Sequence, residues 1–321
     1  MVLTAGLGTR LAPLSSLRAK PALPVAGVPL AGRILRWLAA AGVRRAVLNL
    51  HHLPASITAA IGDGGRFGIE VRYSREDTLL GSAGGPARAL PLLGSDRFLL
   101  VNGDSLTNLD LEPFVVHHRA GGAAVTLALV PNPDPLHYGG VDVDAEGRVT
   151  GFTVPGPANR GWHFIGVQAV EAGVFAALDP HVPSNTISGL YDRMVAHTPG
   201  SIRAFTSAAT FADIGTAADY LETCLAVARD EGLGGTLVGA RSLLDEGARV
   251  SRSVLWDDVH VGSAAALDEC VVTDGATVPP GARLVRSVIT RDDGRLPGPG
   301  ETRLGALLVS PLDGRRRKPR P

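Results

Sequence analysis

Residues 3–21, LTAGLGTRLAPLSSLRAKP, gather groups suited to handling anions. Gly6 and Gly8 let backbone N–H groups come close to a phosphate, and Arg10 carries a planar fork of donors that matches phosphate oxygens. Lys20 is notable for its rarity. Of 31 basic residues only Lys20 and Lys318 are lysine, in a chain rich in Ala, Gly, Pro and Arg. An ammonium kept within the body of such a chain fits a site that needs a compact charge rather than a planar fork. Chance placement is the plain alternative. The glycine pattern alone is common after strands, and it is neither a P-loop nor a full dinucleotide fingerprint.

The elements that must position these residues follow from periodicity. MVLTA reads as a short strand and GLGTR as the turn after it. Leu30, Ile34, Leu35 and Leu38 form a helical stripe that stops at Gly42. RAVLNL is a strand, and PASITAAIG a helix opening at Pro54 and closing at Gly62. IEVRYS, RFLLVNGD and AAVTLALV are strands, separated by the helices PARALPLL and EPFVVHHRAG. Strands and helices alternating at this spacing predict a mostly parallel sheet covered by helices. Ligands of such sheets bind beyond the strand carboxyl ends. Both AGLGTR and VNGD fall at such ends and can lie side by side. Beyond residue 138, YGGVDVDAEGRVTGFTV reads as a hairpin around EG. WHFIGVQAV and SIRAFTS are strands, TISGLYDRMVAHTPG a helix, TFADIGT a turn and AADYLETCLAVARDEG a helix. After residue 233, Val250, Val254, Val259, Val261, Leu267, Val271 and Val278 recur about every six residues, the mark of a short parallel β-helix; an ordinary β-rich extension is the alternative. RDDGRLPGPGETR reads as loop, and GRRRKPRP as a solvated basic tail.

Composition sets the class. The 321 residues are 45% hydrophobic and 19% charged with zero formal net charge, which fits a globular protein and gives no sign of nucleic-acid binding or a polybasic membrane surface. Cys224 and Cys270 form neither a metal cluster nor a disulfide framework, so a reducing cytoplasm is expected. Arg10 interrupts any signal-peptide core, and no apolar run is long enough to span a bilayer.

The continuation GTRLAPLS…AKPALPVAGVPL resembles the signature of the sugar-1-phosphate nucleotidyltransferases, G-x-G-T-R-L-x-P-L-(S/T) and then K-P-x-L-P-V. Further matches follow in family order: LLGSAGG at 80–86, VNGD at 101–104, the 138–152 hairpin, and FADIGTAADYLE with Phe211 where the family has tryptophan. The resemblance covers about residues 1–290. It implies an α/β fold in which 1–232 form a Rossmann-like, mostly parallel mixed-sheet catalytic domain. Residues 233–292 would form a short left-handed hexapeptide-type β-helix, and 293–321 a loop and disordered tail. The implied reaction is NTP plus sugar 1-phosphate giving NDP-sugar and pyrophosphate. It implies that Arg10 and Lys20 are catalytic cations, and that Leu3, Ala5, Gly6, Gly8, Thr9, Gly81 and Ser82 line the nucleotide. Gly139 and Gly166 would face the sugar phosphate, and Asp104 and Asp213 would hold Mg2+. Each aspartate taken singly also reads as a turn or cap residue.

Glu76, five residues before Gly81, matches a base-reading position in some members; its acceptors suit the adjacent donors of guanine. A solvated loop carboxylate is the alternative. The expected activity is therefore mannose-1-phosphate guanylyl transfer, followed by uridylyl or thymidylyl transfer to another hexose 1-phosphate. The sequence departs from the family where many members carry E-K-P: Thr153 and Val154 stand there, and Arg160 or His163 becomes the candidate for the missing charge. That departure keeps open a catalytically silent, nucleotide-sugar-binding homologue. The first strand is also short, which fits either a late strand start or a start codon upstream of Met1. A nicotinamide dehydrogenase is excluded, because the second strand ends NLHH without the ribose-binding acid. Homo-oligomerisation fits a β-helix edge that packs on another surface.

Overall fold

The computed structural model describes residues 1–312, so the GRRRKPRP tail lies outside the described residues. The chain forms two compact units, residues 1–7 with 31–212, and residues 8–30 with those from 213 onward. Gly8–Leu30 thus groups by its contacts with residues beyond 213 rather than with its neighbours in sequence. Gly8–Leu30 contains only short turns and a two-residue ribbon, and its Leu11, Leu14 and Leu23 are fully buried. A segment with so little regular structure cannot stand alone, and it packs with the later part of the chain.

The first unit is built on a nine-stranded mixed sheet. Val2–Leu3 lies between Arg45–Leu50 and Arg97–Asn102, parallel to both, and Glu70–Arg75 extends the parallel side. Trp162–Glu171 enters antiparallel beside Arg97–Asn102 and carries the 140–153 hairpin at one end and Val125–Pro131 along its length. The hairpin turns where Asp144 accepts from the amides of Glu146 and Arg148 at 3.0 and 2.8 Å. The stripe Leu30, Ile34, Leu35 and Leu38 is buried as expected, and the helix stops before Gly42, at φ +86°.

Three elements differ from the sequence reading. The helix expected at Pro86 begins at Gly81, because Ser184 O caps the amides of Ala83 and Gly84 at 2.9 and 3.1 Å. The helix expected from Thr186 is interrupted at Ser188 and Gly189 and runs regularly only over Asp192–His197. Phe211–Asp213, read as a turn, is a strand.

In the second unit, strands from residue 237 stack in parallel on three faces. Leu237 pairs with Val254, Val254 with Val271 and Val271 with Val288, a repeat of 17 residues. Successive strands start six, six and five residues apart, so the apolar spacing looks irregular in sequence. Val261, Leu267, Val272 and Val278 fill the interior. The corners bend through left-handed backbone at Arg252, Glu269 and Arg286, and their side chains form a ladder: Arg252–Glu269 at 3.5 Å and Glu269–Arg286 at 2.8 Å. Residues 293–312 are not all loop. Thr302–Leu304 and Leu307–Pro311 form a hairpin that pairs antiparallel with Ser287–Arg291. Glu301 fixes it by accepting from Arg295 at 2.6 and 2.8 Å and from Ser310 at 2.7 Å, contacts that spacing does not reveal.

Candidate active site

In the first unit, the carboxyl end of Val2–Leu3 is the organising point. Thr4 N donates to Asn49 Oδ1 at 2.7 Å, and the Thr4 hydroxyl donates to Asn49 O, so the chain leaves the sheet on a fixed path. Ala5 is buried, whereas Gly6 is exposed and nothing would meet a Cβ placed on it. Gly103 N donates to Leu3 O at 2.9 Å, and a Cβ at Gly103 would collide with that carbonyl. Only glycine lets the VNGD turn approach so closely. Asp104 is thereby set beside the Leu3–Gly6 exit, half-buried, with Ser105 Oγ donating to its Oδ1 at 3.3 Å. Gly166, at φ +80°, packs on the Asn102 side chain next to the same turn. The expected neighbourhood of AGLG and VNGD is thus present for its first-unit residues.

Gly81 opens its helix at φ +75°, where a Cβ would lie 2.6 Å from Ser184 O. Ser82 Oγ accepts from Thr186 N at 2.9 Å and shares a hydrogen with the Thr186 hydroxyl at 2.9 Å. The Gly81–Ser82 turn is therefore tied to the 184–186 strap.

Glu76, expected to read the base, is held inside the protein. It is 2% exposed, with Oε1 accepting from Asn49 Nδ2 at 2.7 Å and Oε2 from Leu80 N at 2.9 Å. A buried carboxylate needs such partners, and here they tie the 76–80 loop to the strand holding Thr4. Sequence reasoning missed Asn49, the centre of this network, because a lone asparagine at a strand end carries no motif.

The sugar-side residues are ordered by a second buried asparagine. Asn159, 2% exposed, donates to Tyr138 O at 2.8 Å and accepts from Gly161 N at 3.0 Å and Thr153 Oγ at 3.2 Å. Thr153, at the family's acidic position, thus serves the loop that carries Gly139. His163, a candidate for the missing charge, is packed against two aromatic rings. Its ring lies 4.4 Å from Tyr138 and 4.6 Å from Phe211, centroid to centroid, and its proton is held by the Gly139 carbonyl. Burial pushes its pKa down to about 4, so the imidazole is neutral near pH 7. Arg160 is exposed and donates to the carbonyls of Pro157 and Asn159 at 2.6 and 3.1 Å.

The second unit holds the cations. Gly8, at φ +63°, starts the turn Thr9–Leu11; its Cβ position lies 3.2 Å from Ser15 Cβ and 3.6 Å from Lys20 Cβ. The glycine loop thereby lies beside Lys20, which is 9% exposed. Thr9 and Arg10 are exposed on that turn. The Arg10 guanidinium lies over Gly215, 3.4 Å from where a Cβ would sit. Gly215 is two residues past half-buried Asp213 and just before a capping box, in which Asp219 Oδ2 accepts from Thr216 N at 2.8 Å and Thr216 Oγ1 accepts from Asp219 N at 3.2 Å. That box fixes the start of the Ala217–Asp230 helix, and with it the DIGT turn.

Among the described residues no three His, Cys, Asp or Glu side chains cluster as a protein-only metal cage. Isolated aspartates set on rigid turns are the hard-oxygen donors that suit Mg2+, which takes its other ligands from phosphate and water. Among the described residues, Cys224 and Cys270 are buried and form no disulfide. Among the described residues no helix is long and apolar enough to cross a membrane.

A glycine loop leaving a central parallel strand, cations held on glycine contacts and acidic turns define a phosphoryl-handling α/β protein. Residues 1–229 match the nucleotidyl transferase family, and residues 232–296 match the family described as GlmU-like, C-terminal hexapeptide. The chain belongs to the nucleotidyl transferase family, and its relatives are sugar-1-phosphate nucleotidyltransferases. Mannose-1-phosphate guanylyltransferase of Mycobacterium tuberculosis is 31% identical over 298 residues, covering 89% of this chain and 82% of that protein. N-acetylmuramate alpha-1-phosphate uridylyltransferase of Neisseria meningitidis is 48% identical over 111 residues, 34% of this chain and 48% of that protein. Among solved structures, HddC from Yersinia pseudotuberculosis superposes with a TM-score of 0.61 at 26% identity, covering 70% of this chain and 96% of that one; it has also been solved with GMP-PN.

Proposed function

We propose that the protein transfers a guanylyl group from GTP to mannose 1-phosphate, giving the nucleotide sugar and pyrophosphate. The observation that carries the transfer reading is the placing of Lys20 and Arg10 beside Gly8 and Gly215, 3.6 and 3.4 Å from where their Cβ atoms would stand. A phosphate oxygen of the sugar phosphate attacks the α-phosphorus in line. The new P–O bond forms as the bond to pyrophosphate breaks. The attacking group is already anionic, so no strong base is required, and the task is to orient two polyanions and offset their charge. Lys20 contributes a point charge at the reacting phosphates, and Arg10 holds the departing pyrophosphate. The backbone from Leu3 to Thr9 and the turn at Gly81 and Ser82 take the nucleotide, while Gly139 and Gly166 let the sugar phosphate approach closely. Asp104 and Asp213 are the residues that would hold Mg2+. When bound, Mg2+ offsets phosphate charge.

With Glu76 engaged inside the protein, the guanine preference rests on the Mycobacterium relative, which is similar along nearly the whole chain, and on the GMP-PN complex of HddC. The local 48% identity to the Neisseria uridylyltransferase supports UTP as the second reading. The test is pyrophosphate release with Mg2+ from GTP, UTP, dTTP, ATP and CTP against mannose, glucose and N-acetylated hexose 1-phosphates, with Asp104→Ala as control. Release with GTP and mannose 1-phosphate, absent in the control, is expected. Release with UTP alone would replace the guanylyl reading, and silence across the panel with retained nucleotide-sugar binding would favour a regulatory homologue.

A further inference from the structure

We infer that the parallel stack is a positioning device for the cation loop, and that Trp256 and Asp274 are its positioning residues. The inference rests on the proposed roles of Arg10 and Lys20. The loop needs outside support. Between Gly8 and Leu30 its regular elements are the turns Thr9–Leu11 and Lys20–Ala22, the single-turn helix Leu14–Leu17, and the ribbon of Pro24–Val25 with Val28–Pro29. Single turns and two-residue ribbons do not hold their shape in isolation.

The stack reaches the loop directly on the amino side of Lys20 and through the Ala217–Asp230 helix on its carboxyl side. On the amino side, Arg18 Nη2 lies 2.5 Å from Asp274 Oδ2, and the Arg18 guanidinium sits over the Trp256 ring, 5.0 Å from its centroid. The Asp274 carboxylate is itself oriented by the preceding coil, since its Oδ1 accepts from Asp257 N at 3.1 Å. On the carboxyl side, the Pro24 carbonyl accepts from the Tyr220 hydroxyl at 2.5 Å and from Cys224 Sγ at 3.6 Å. Tyr220 in turn accepts from Trp256 Nε1 at 2.9 Å, with the two rings edge to face. One buried tryptophan therefore supports Arg18 with its face and Pro24 through its N–H. Lys20 lies between these two points in sequence, and its Cβ sits 3.6 Å from where a Cβ would stand on Gly8, at the start of the turn that bears Arg10. Nothing in the reaction asks for an indole on a β-helix coil. Its ring contacts with Arg18 and Tyr220 both lead to the loop.

A merely stabilising role makes a different prediction. The Arg18 and Asp274 side chains are 31% and 38% exposed, and a pair that exposed adds little to global stability. Its loss should register in the loop rather than in the fold. Asp274→Asn, Arg18→Gln and the double variant, all in the full-length chain, are compared by amide hydrogen exchange, thermal unfolding and steady-state kinetics. Each single variant is expected to speed exchange in residues 9–24 by roughly tenfold while leaving Tm within about 2 °C of wild type. Turnover should fall by about tenfold, because a small displacement of an orienting group is amplified in rate. The double variant should be no worse than Arg18→Gln alone, since that variant already removes the contact to Asp274. Trp256→Phe keeps an aromatic face under Arg18 but loses the indole donor, and faster exchange is expected at residues 22–26. Wild-type exchange over 9–24 in Asp274→Asn would overturn the inference. So would faster exchange spread through the whole stack with a fallen Tm, or additive losses in the double variant. The exchange readout needs no turnover, so a failure of the transferase reading is recorded separately from a failure of this one.

Discussion

Lys20 is nine-tenths buried against a glycine, so its replacement is not a surface event. Lys20→Arg keeps the charge but must fit a wider, planar group into the same space. A drop in kcat of about 100-fold is expected, measured as pyrophosphate release, if the ammonium acts on the reacting phosphates. Glu76→Gln tests the opposite kind of residue. Both carboxylate oxygens accept hydrogen bonds, and an amide provides only one acceptor. The variant should lose about 1–3 kcal/mol of stability by denaturant titration while its preference among bases is unchanged. A shifted base preference would return Glu76 to the nucleotide. His163 carries a pH signature. Its folded pKa of about 4 lies below the ordinary 6.5, so the unfolded chain takes up the proton first. The stability associated with neutral His163 is complete above pH 6.5 and is lost as pH falls toward 4. That loss is about 3 kcal/mol, and His163→Phe should remove it from the pH dependence of unfolding. At this scale the sequence singles out residues that belong to a motif, as with Gly8, Arg10 and Lys20. It was not legible where a common polar residue became a clamp. Asn49 and Asn159 carry no spacing signal, and their importance arises only once burial leaves their partners no water to bond.

Elements carry the next level of constraint. Gly103 lets the VNGD turn lie against Leu3 O, and Gly103→Ala would force apart two strands of one sheet. Loss of Asp104-dependent activity is expected together with a Tm lowered by several degrees, because the collision is with backbone rather than a movable side chain. A variant with normal turnover would show that the turn can shift without cost. Local pattern was enough to find the Leu30–Ala40 helix, the 45–50 strand and the 140–153 hairpin, since each has its own period or turn chemistry. It failed at the Gly81 helix and the Thr186 segment, which define each other through Ser82, Ser184 and Thr186. Two segments about a hundred residues apart cannot be read in either window alone.

Across the whole molecule, the class of fold was visible in the order of motifs, but the compact units were not. Composition changes at residue 233, whereas Gly8–Leu30 belongs with the later residues because of contacts such as Arg18 with Asp274 and Pro24 with Tyr220. The closing hairpin was missed for a similar reason: its strands are held by Glu301 and by pairing with Ser287–Arg291, beyond any local period. A chain ended at residue 297 would uncover that strand's edge and remove buried Leu307, Leu308 and Val309. Lower solubility and larger particles by light scattering are the expected result. The charged corners of the stack carry one more consequence. Arg252, Glu269 and Arg286 alternate in sign at 17-residue steps. Copying the single coil 253–269 would set two acids against each other, whereas copying 253–286 would keep every neighbour opposite. The stack thus has a parity, and a chain that lengthened it by duplication would be favoured to grow two turns at a time.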